Sequence, residues 1–142
     1  MNVKQLLGQF LRDKTDFGPN APQGSFGEPL LNLVARRMFP SPKEAISICK
    51  VLLDAGADVN GQCRASWSPL HEAAWLGEVE LASLLISYGA NVNQKTKIGP
   101  WNDYLECTPL DFALRENRND MAKLLRRHSG KTKEELEGET NE

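Results

Sequence analysis

The residues most capable of chemistry are His71 and Glu72, adjacent in the middle of the chain. A zinc-protease helix opens with such a pair but needs a second histidine four residues after the first, and position 75 is Trp75. Cys49, Cys63 and Cys107 could in principle join His71 and His128 around a metal, yet none of their spacings resembles a ligand pair. Cys49 falls on an apolar helical register and reads as core. Cys63 and Cys107 lie in connecting segments with no local charge cluster to depress a thiol pKa. His128 sits in the last turn of a helical stretch, where a donor suits the free carbonyls. The segment Gly24-Ser25-Phe26-Gly27 lacks the spacing and the preceding strand of a phosphate loop, and there is no nucleophile elbow. The expectation is a protein that is not an enzyme and has no cofactor and no metal. The rival from another class is a small-ligand or metal-dependent activity built on His71, Glu72 and Cys63.

The elements that would position these residues come from internal self-similarity. Leu52-Leu53-Asp54-Ala55-Gly56-Ala57-Asp58-Val59-Asn60 returns 33 residues later as Leu85-Ile86-Ser87-Tyr88-Gly89-Ala90-Asn91-Val92-Asn93. Glu28-Pro29-Leu30, Ser68-Pro69-Leu70 and Thr108-Pro109-Leu110 recur at a spacing of 40. Two insertions of seven residues reconcile the periods, one between the helices of the first unit and one in the loop after the second. Ser68 and Thr108 supply N-cap oxygens, and the prolines after them stand where a helix needs no backbone donor. Gly56 and Gly89 follow apolar helical stretches, where a left-handed residue ends a helix at low cost. Ile48, Cys49, Val51, Leu52 and Leu53 align with Leu81, Ala82, Leu84, Leu85 and Ile86, then with Met121, Ala122, Leu124, Leu125 and Arg126. A charge enters that register only in the last unit, as a terminal repeat requires. Short helices of this kind are marginal alone and depend on stacking.

The stretch Ser68-Pro69-Leu70-His71-Glu72-Ala73-Ala74-Trp75-Leu76-Gly77, followed by Gly89-Ala90-Asn91-Val92-Asn93, resembles the ankyrin repeat. The resemblance covers residues 29 to about 130. Leu31 and Asp111 stand where the family prefers histidine, and Asn117 stands for the glycine. It implies an all-α solenoid with projecting hairpin loops, in repeats 29–61, 69–94 and 109–130. Residues 1–28 would add an amphipathic capping helix and an irregular loop, and 131–142 a frayed acidic tail. It also makes His71 a structural hydrogen-bonder between repeats.

By the same resemblance, the variable positions form a partner-binding face. In the second repeat these are Arg64, Trp67, Trp75 and Leu76; elsewhere they are Ala35 with Arg36, and Arg115 with Glu116. The inserted loop adds Ile98, Trp101 and Tyr104, which either meet a partner or fold back on Trp67. All three tryptophans would lie outside the stacked core, and Trp75→Ala would then cost within about 0.5 kcal/mol. Trp, Tyr and Arg dominate interface energetics, so another protein is the expected partner.

Composition narrows the remaining classes. With 142 residues, 40% of them hydrophobic, and a net charge of -2, the chain can bury a core and has no basic field for nucleic acid or anionic membrane. No stretch approaches the ~20 apolar residues of a membrane span, nor is there a signal-peptide run. An odd number of widely spaced cysteines suits a reducing, cytoplasmic setting. A monomer acting as scaffold or inhibitor is expected, with self-association through the aromatics or an antidote-type inhibitor of a neighbouring toxin as alternatives.

Overall fold

The computed structural model describes residues 22–23, 28–37, 41–62, 66–97 and 106–140. Among these, two-residue strands β1 (Pro22–Gln23) and β2 (Glu28–Pro29) pair antiparallel, Pro22 opposite Pro29 and Gln23 opposite Glu28. The loop expected to lack regular structure therefore holds a minimal hairpin. The proline pair has no N–H to donate, so the ladder stops there. The expected helix over residues 3–13 lies outside the described residues.

Seven helices follow among the described residues: α1 (Leu30–Arg37), α2 (Pro42–Asp54), α3 (Pro69–Leu76), α4 (Val79–Ser87), α5 (Pro109–Arg115), α6 (Asn119–Arg127) and α7 (Lys133–Thr140). The inner helices stack α1 on α3 on α5, and each packs on its own outer helix α2, α4 or α6. This is a helical solenoid of three repeats. Its core is the repeated apolar register: Ile48, Cys49, Leu52 and Leu53, then Leu81, Ala82 and Leu85, then Met121, Leu124 and Leu125. Leu84 is only half-buried, so the strongest cavity mutation of α4 is at Leu85 rather than there.

Local chemistry fixes each helix end. Ser68 and Thr108 accept from the N–H of His71 and Asp111, while those side chains accept from the cap N–H in return. Gly56 and Gly89 take φ of +96° and +90°, the left-handed stop that glycine reaches without strain. Ser129 holds the equivalent place in the third repeat at φ +65°. The Asp58-Val59-Asn60 and Asn91-Val92-Asn93 motifs each close a turn, the first side chain accepting from the second asparagine's N–H at 3.0 Å. The second asparagine then reaches the next repeat. Asn60 Oδ1 accepts from Asn91 N–H (2.7 Å) and Asn93 Oδ1 from Lys131 N–H (2.7 Å). Tyr88 O–H donates to the Asp54 carboxylate, tying α4 to the end of α2.

At the first insertion, Ser41 is the N-cap of α2 and Pro42 its first helical residue. Hence α2 has 13 residues against 9 in α4. The second insertion is clasped at its base, where Thr96 N–H donates to the Cys107 carbonyl (2.9 Å) and Cys107 N–H to Thr96 Oγ1 (3.1 Å).

The acidic tail, expected to be frayed, is helical from Lys133 to Thr140. Thr132 and Glu135 form a capping box: Glu135 N–H donates to Thr132 Oγ1 (3.2 Å) and Thr132 N–H to the Glu135 carboxylate (3.0 Å). Thr108 Oγ1 donates to the Lys131 carbonyl (2.7 Å) and Asp111 Oδ2 accepts from Lys133 N–H (3.0 Å). These contacts start α7 where the inner helix of a further repeat would start.

Candidate functional site

His71 is wholly enclosed between the second and third repeats. Its Nδ1 accepts from Ser68 N–H at 3.1 Å and lies 2.8 Å from Ser68 Oγ. Its Nε2 meets the Cys107 carbonyl at 3.1 Å, which requires the proton on Nε2. Burial holds the imidazole neutral and pushes its pKa down to about 4. A ring so enclosed cannot reach substrate; it staples α3 to the loop entering α5. Asp111 occupies the equivalent position of the third repeat and performs the same two tasks as a carboxylate. It accepts from Thr108 N–H (2.9 Å) behind it and from Lys133 N–H (3.0 Å) ahead.

Glu72, beside His71, is buried and partnered. Cys49 is buried, and desolvation pushes its thiol up to about 12. Cys107 is buried, and its backbone carbonyl meets His71. Cys63 lies outside the described residues. Among the described residues no three His, Cys, Asp or Glu side chains gather in a way that could hold a metal ion.

The surface residues are arranged around an aromatic cluster. Trp67 packs edge-on to Phe112 at 4.7 Å between ring centroids, and Trp75 meets Trp67 at 5.8 Å and Phe112 at 6.2 Å. His71 stands 5.0 Å from the same Phe112. Phe112 is fully buried, and both tryptophans are half-buried against the core. The expectation that the tryptophans lie clear of the core is therefore corrected for Trp67 and Trp75. Each presents one part to solvent and packs the rest across a repeat boundary. Trp67 is held by its backbone as well: Asn32 Nδ2 donates to the Trp67 carbonyl (3.0 Å) and to the Gly61 carbonyl (2.9 Å). All three repeats thus meet at Trp67.

The other candidate residues divide. Leu76 is half-buried, Arg36 and Arg115 are exposed, and Glu116 is half-buried. Ala35, expected to face solvent, is fully buried: its small side chain lies within the stacked core beside Leu31. Arg64, Trp101 and Tyr104, with Ile98, lie outside the described residues. Sequence reasoning missed Phe112 and Arg118. Phe112 replaces the Glu72 of the preceding repeat, and a large aromatic at that one position was the available signal. Arg118 reaches back from the α5–α6 turn, its Nε donating to the Trp75 carbonyl at 3.3 Å across Gly77.

This stack of paired helices with capped inner turns and asparagine-tied loops is an ankyrin solenoid. The family model for ankyrin repeats (3 copies) matches residues 2–96 and 43–135. The chain belongs to the ankyrin-repeat family, whose repeats generally mediate protein–protein interaction and are typically non-enzymatic. It is similar to an ankyrin repeat protein of Fowlpox virus (strain NVSL), 39% identical over 81 residues, 56% of this chain and 13% of that protein. It is also similar to the 2-5A-dependent ribonuclease of Mus musculus, 42% identical over 50 residues, 34% of this chain and 7% of that protein. The chain thus spans a small fraction of either relative. No helix among the described residues is long and apolar enough to cross a membrane.

Proposed function

We propose that the chain binds another protein through the edge of the stack formed by Trp67, Trp75, Leu76, Arg115 and Arg36, acting as a scaffold or inhibitor. The observation that carries this reading is the half-exposed tryptophan pair seated on Phe112. A tryptophan whose one side is locked against a rigid core presents its other side at little further loss of rotamer freedom, which is what an interface anchor needs. Arg115 holds in the third repeat the inner-helix position that Trp75 holds in the second, and Leu76 follows Trp75, so an apolar and a cationic side chain flank the indole pair in sequence register. Recognition here needs little backbone movement, because the face is built on helices already fixed by stacking. Arg64, by its place in the repeat, and Trp101 and Tyr104 of the inserted loop are included in the same proposal. The setting proposed is cytoplasmic, with the chain monomeric and free of cofactor.

The test is affinity capture from the native extract with the wild-type chain beside a Leu76→Glu/Arg115→Glu chain. Neither side chain is fully buried, so this pair perturbs the face while sparing the core. A protein retained by the wild type and lost by a still-folded variant supports the reading. Equal retention by both overturns it.

A further inference from the structure

The C-terminal end of the stack carries features that the proposed face does not use. Although α7 starts in repeat register, it does not pack along α5 as α5 packs along α3. The reason lies in its residues. Where α5 has the buried Leu110 and Ala113, α7 has Glu134 and Glu137, and none of its residues is buried. Apart from the backbone bonds at its start, α7 is joined to α6 by an ion pair made from its own first turn. Arg126 Nη1 and Nη2 lie 2.7 and 2.9 Å from the two oxygens of the Glu135 carboxylate. The contacts of Glu139 with Lys131 and Glu137 with Lys133 are internal to the tail segment.

The surface that α7 leaves uncovered holds one exposed leucine among cationic side chains. Leu114 is 47% exposed, whereas Ala74, its equivalent in the second repeat, is fully buried beneath the following repeat. Leu114 is the only large hydrophobic among the described residues with this degree of exposure. Arg126 and Arg127, the last two residues of α6, are exposed as well.

We propose that this end face is a docking surface for an acidic amphipathic helix of a partner protein. The partner helix stacks along α5 over Leu114 and takes the Arg126 guanidinium in place of Glu135. The chain's own α7 supplies the pattern for the charge: an acidic third residue in the first turn meets Arg126. It lacks the apolar residues that would cover Leu114. A helix with leucine and alanine where α7 has Glu134 and Glu137 supplies both. A surface-exposed pair such as Arg126–Glu135 is cheap to exchange, so α7 yields the arginine without unfolding the stack. This surface is separate from the tryptophan edge, so either can fail without the other.

The probe is a labelled peptide of residues 131–142 bearing Glu134→Leu and Glu137→Ala, titrated into the full-length chain by fluorescence anisotropy. It is expected to bind the wild type, and to bind the Glu135→Gln chain about three- to tenfold tighter because Arg126 is then free. Leu114→Glu and Arg126→Gln should each weaken binding at least about tenfold, the loss expected of a removed anchor. Both side chains are exposed, and an unchanged thermal midpoint confirms that these chains remain folded. The Leu76→Glu chain should bind as the wild type does. Equal affinity for the wild-type, Leu114→Glu and Arg126→Gln chains overturns the proposal. So does the absence of binding to the Glu135→Gln chain, or loss of binding in Leu76→Glu alone.

Discussion

His71 Nε2 meets the Cys107 carbonyl at 3.1 Å, 36 residues along the chain, and so joins the second repeat to the third through one neutral imidazole. The same ring caps its own helix through Ser68, so a single side chain serves both local and inter-repeat order.

That role has a pH signature. Burial lowers the folded-state pKa of His71 from 6.5 to about 4, so between these values the unfolded chain binds a proton that the folded chain refuses. Stability from this group is fully present above pH 6.5 and is lost as pH falls toward 4. The loss should approach roughly 3 kcal/mol at the lower end of that window. Urea unfolding at pH 7 and pH 4.5 measures it, and a His71→Gln chain should show a much smaller difference between the two. An equal difference in both chains would place the pH dependence elsewhere.

The aromatic cluster predicts an order of mutational costs. Phe112→Ala should cost about 3–5 kcal/mol, because it empties a fully buried site beneath two indoles. Trp75→Ala and Trp67→Ala should each cost about 1–3 kcal/mol, well above the value for a free surface ring. Denaturant midpoints report this directly. A Trp75→Ala chain as stable as wild type would mean that the ring contributes nothing to the stack.

Gly77 and Asn117 close equivalent turns at φ +75° and +56°. A Cβ at Gly77 would lie 2.7 Å from Arg118 Cδ, on a side chain that can swing away, so the backbone is the larger obstacle. Gly77→Ala should therefore cost about 1–2 kcal/mol, and Asn117→Gly should cost nothing or stabilise by up to about 1 kcal/mol. Thermal unfolding of the two chains should shift in opposite directions or leave Asn117→Gly unmoved.

The repeat itself was legible in the sequence because its signals are local. Ser68 and Thr108 with their prolines, Gly56 and Gly89, and the spacing of Leu81, Ala82 and Leu85 each act within a turn or two of the chain. The packing of Trp67 and Trp75 was not legible, since it depends on Phe112 in another repeat. The face reading treated those rings as free because each was considered within its own repeat. Helix α7 was missed for a different reason. It has no apolar periodicity, and only the Thr132-x-x-Glu135 capping box marked its start. Ala35 was misplaced because the register of variable positions was carried onto the first repeat, where that position is core.

Cys49 offers a check on the core that is independent of mutation. With its thiol buried and its pKa raised to about 12, it should react with a disulfide reagent at pH 8 at least about a hundredfold more slowly than a free thiol. Peptide mapping after timed labelling separates it from the other cysteines, and addition of denaturant should restore its reactivity. Rapid labelling of Cys49 in the folded chain would contradict the packing of α2 on α1.

The central claim, that the chain holds a partner by the inner-helix edge near Trp75, is tested most directly by site-specific photo-crosslinking. A photoreactive residue is placed at position 76, beside Trp75, or at position 123, on the exposed side of the outer helix α6. Each chain is irradiated in native extract and the adducts are identified by mass spectrometry. The account predicts a discrete protein adduct from position 76 that is absent from position 123 and disappears when Arg115→Glu is added. A discrete adduct from position 123 with none from position 76 would contradict it.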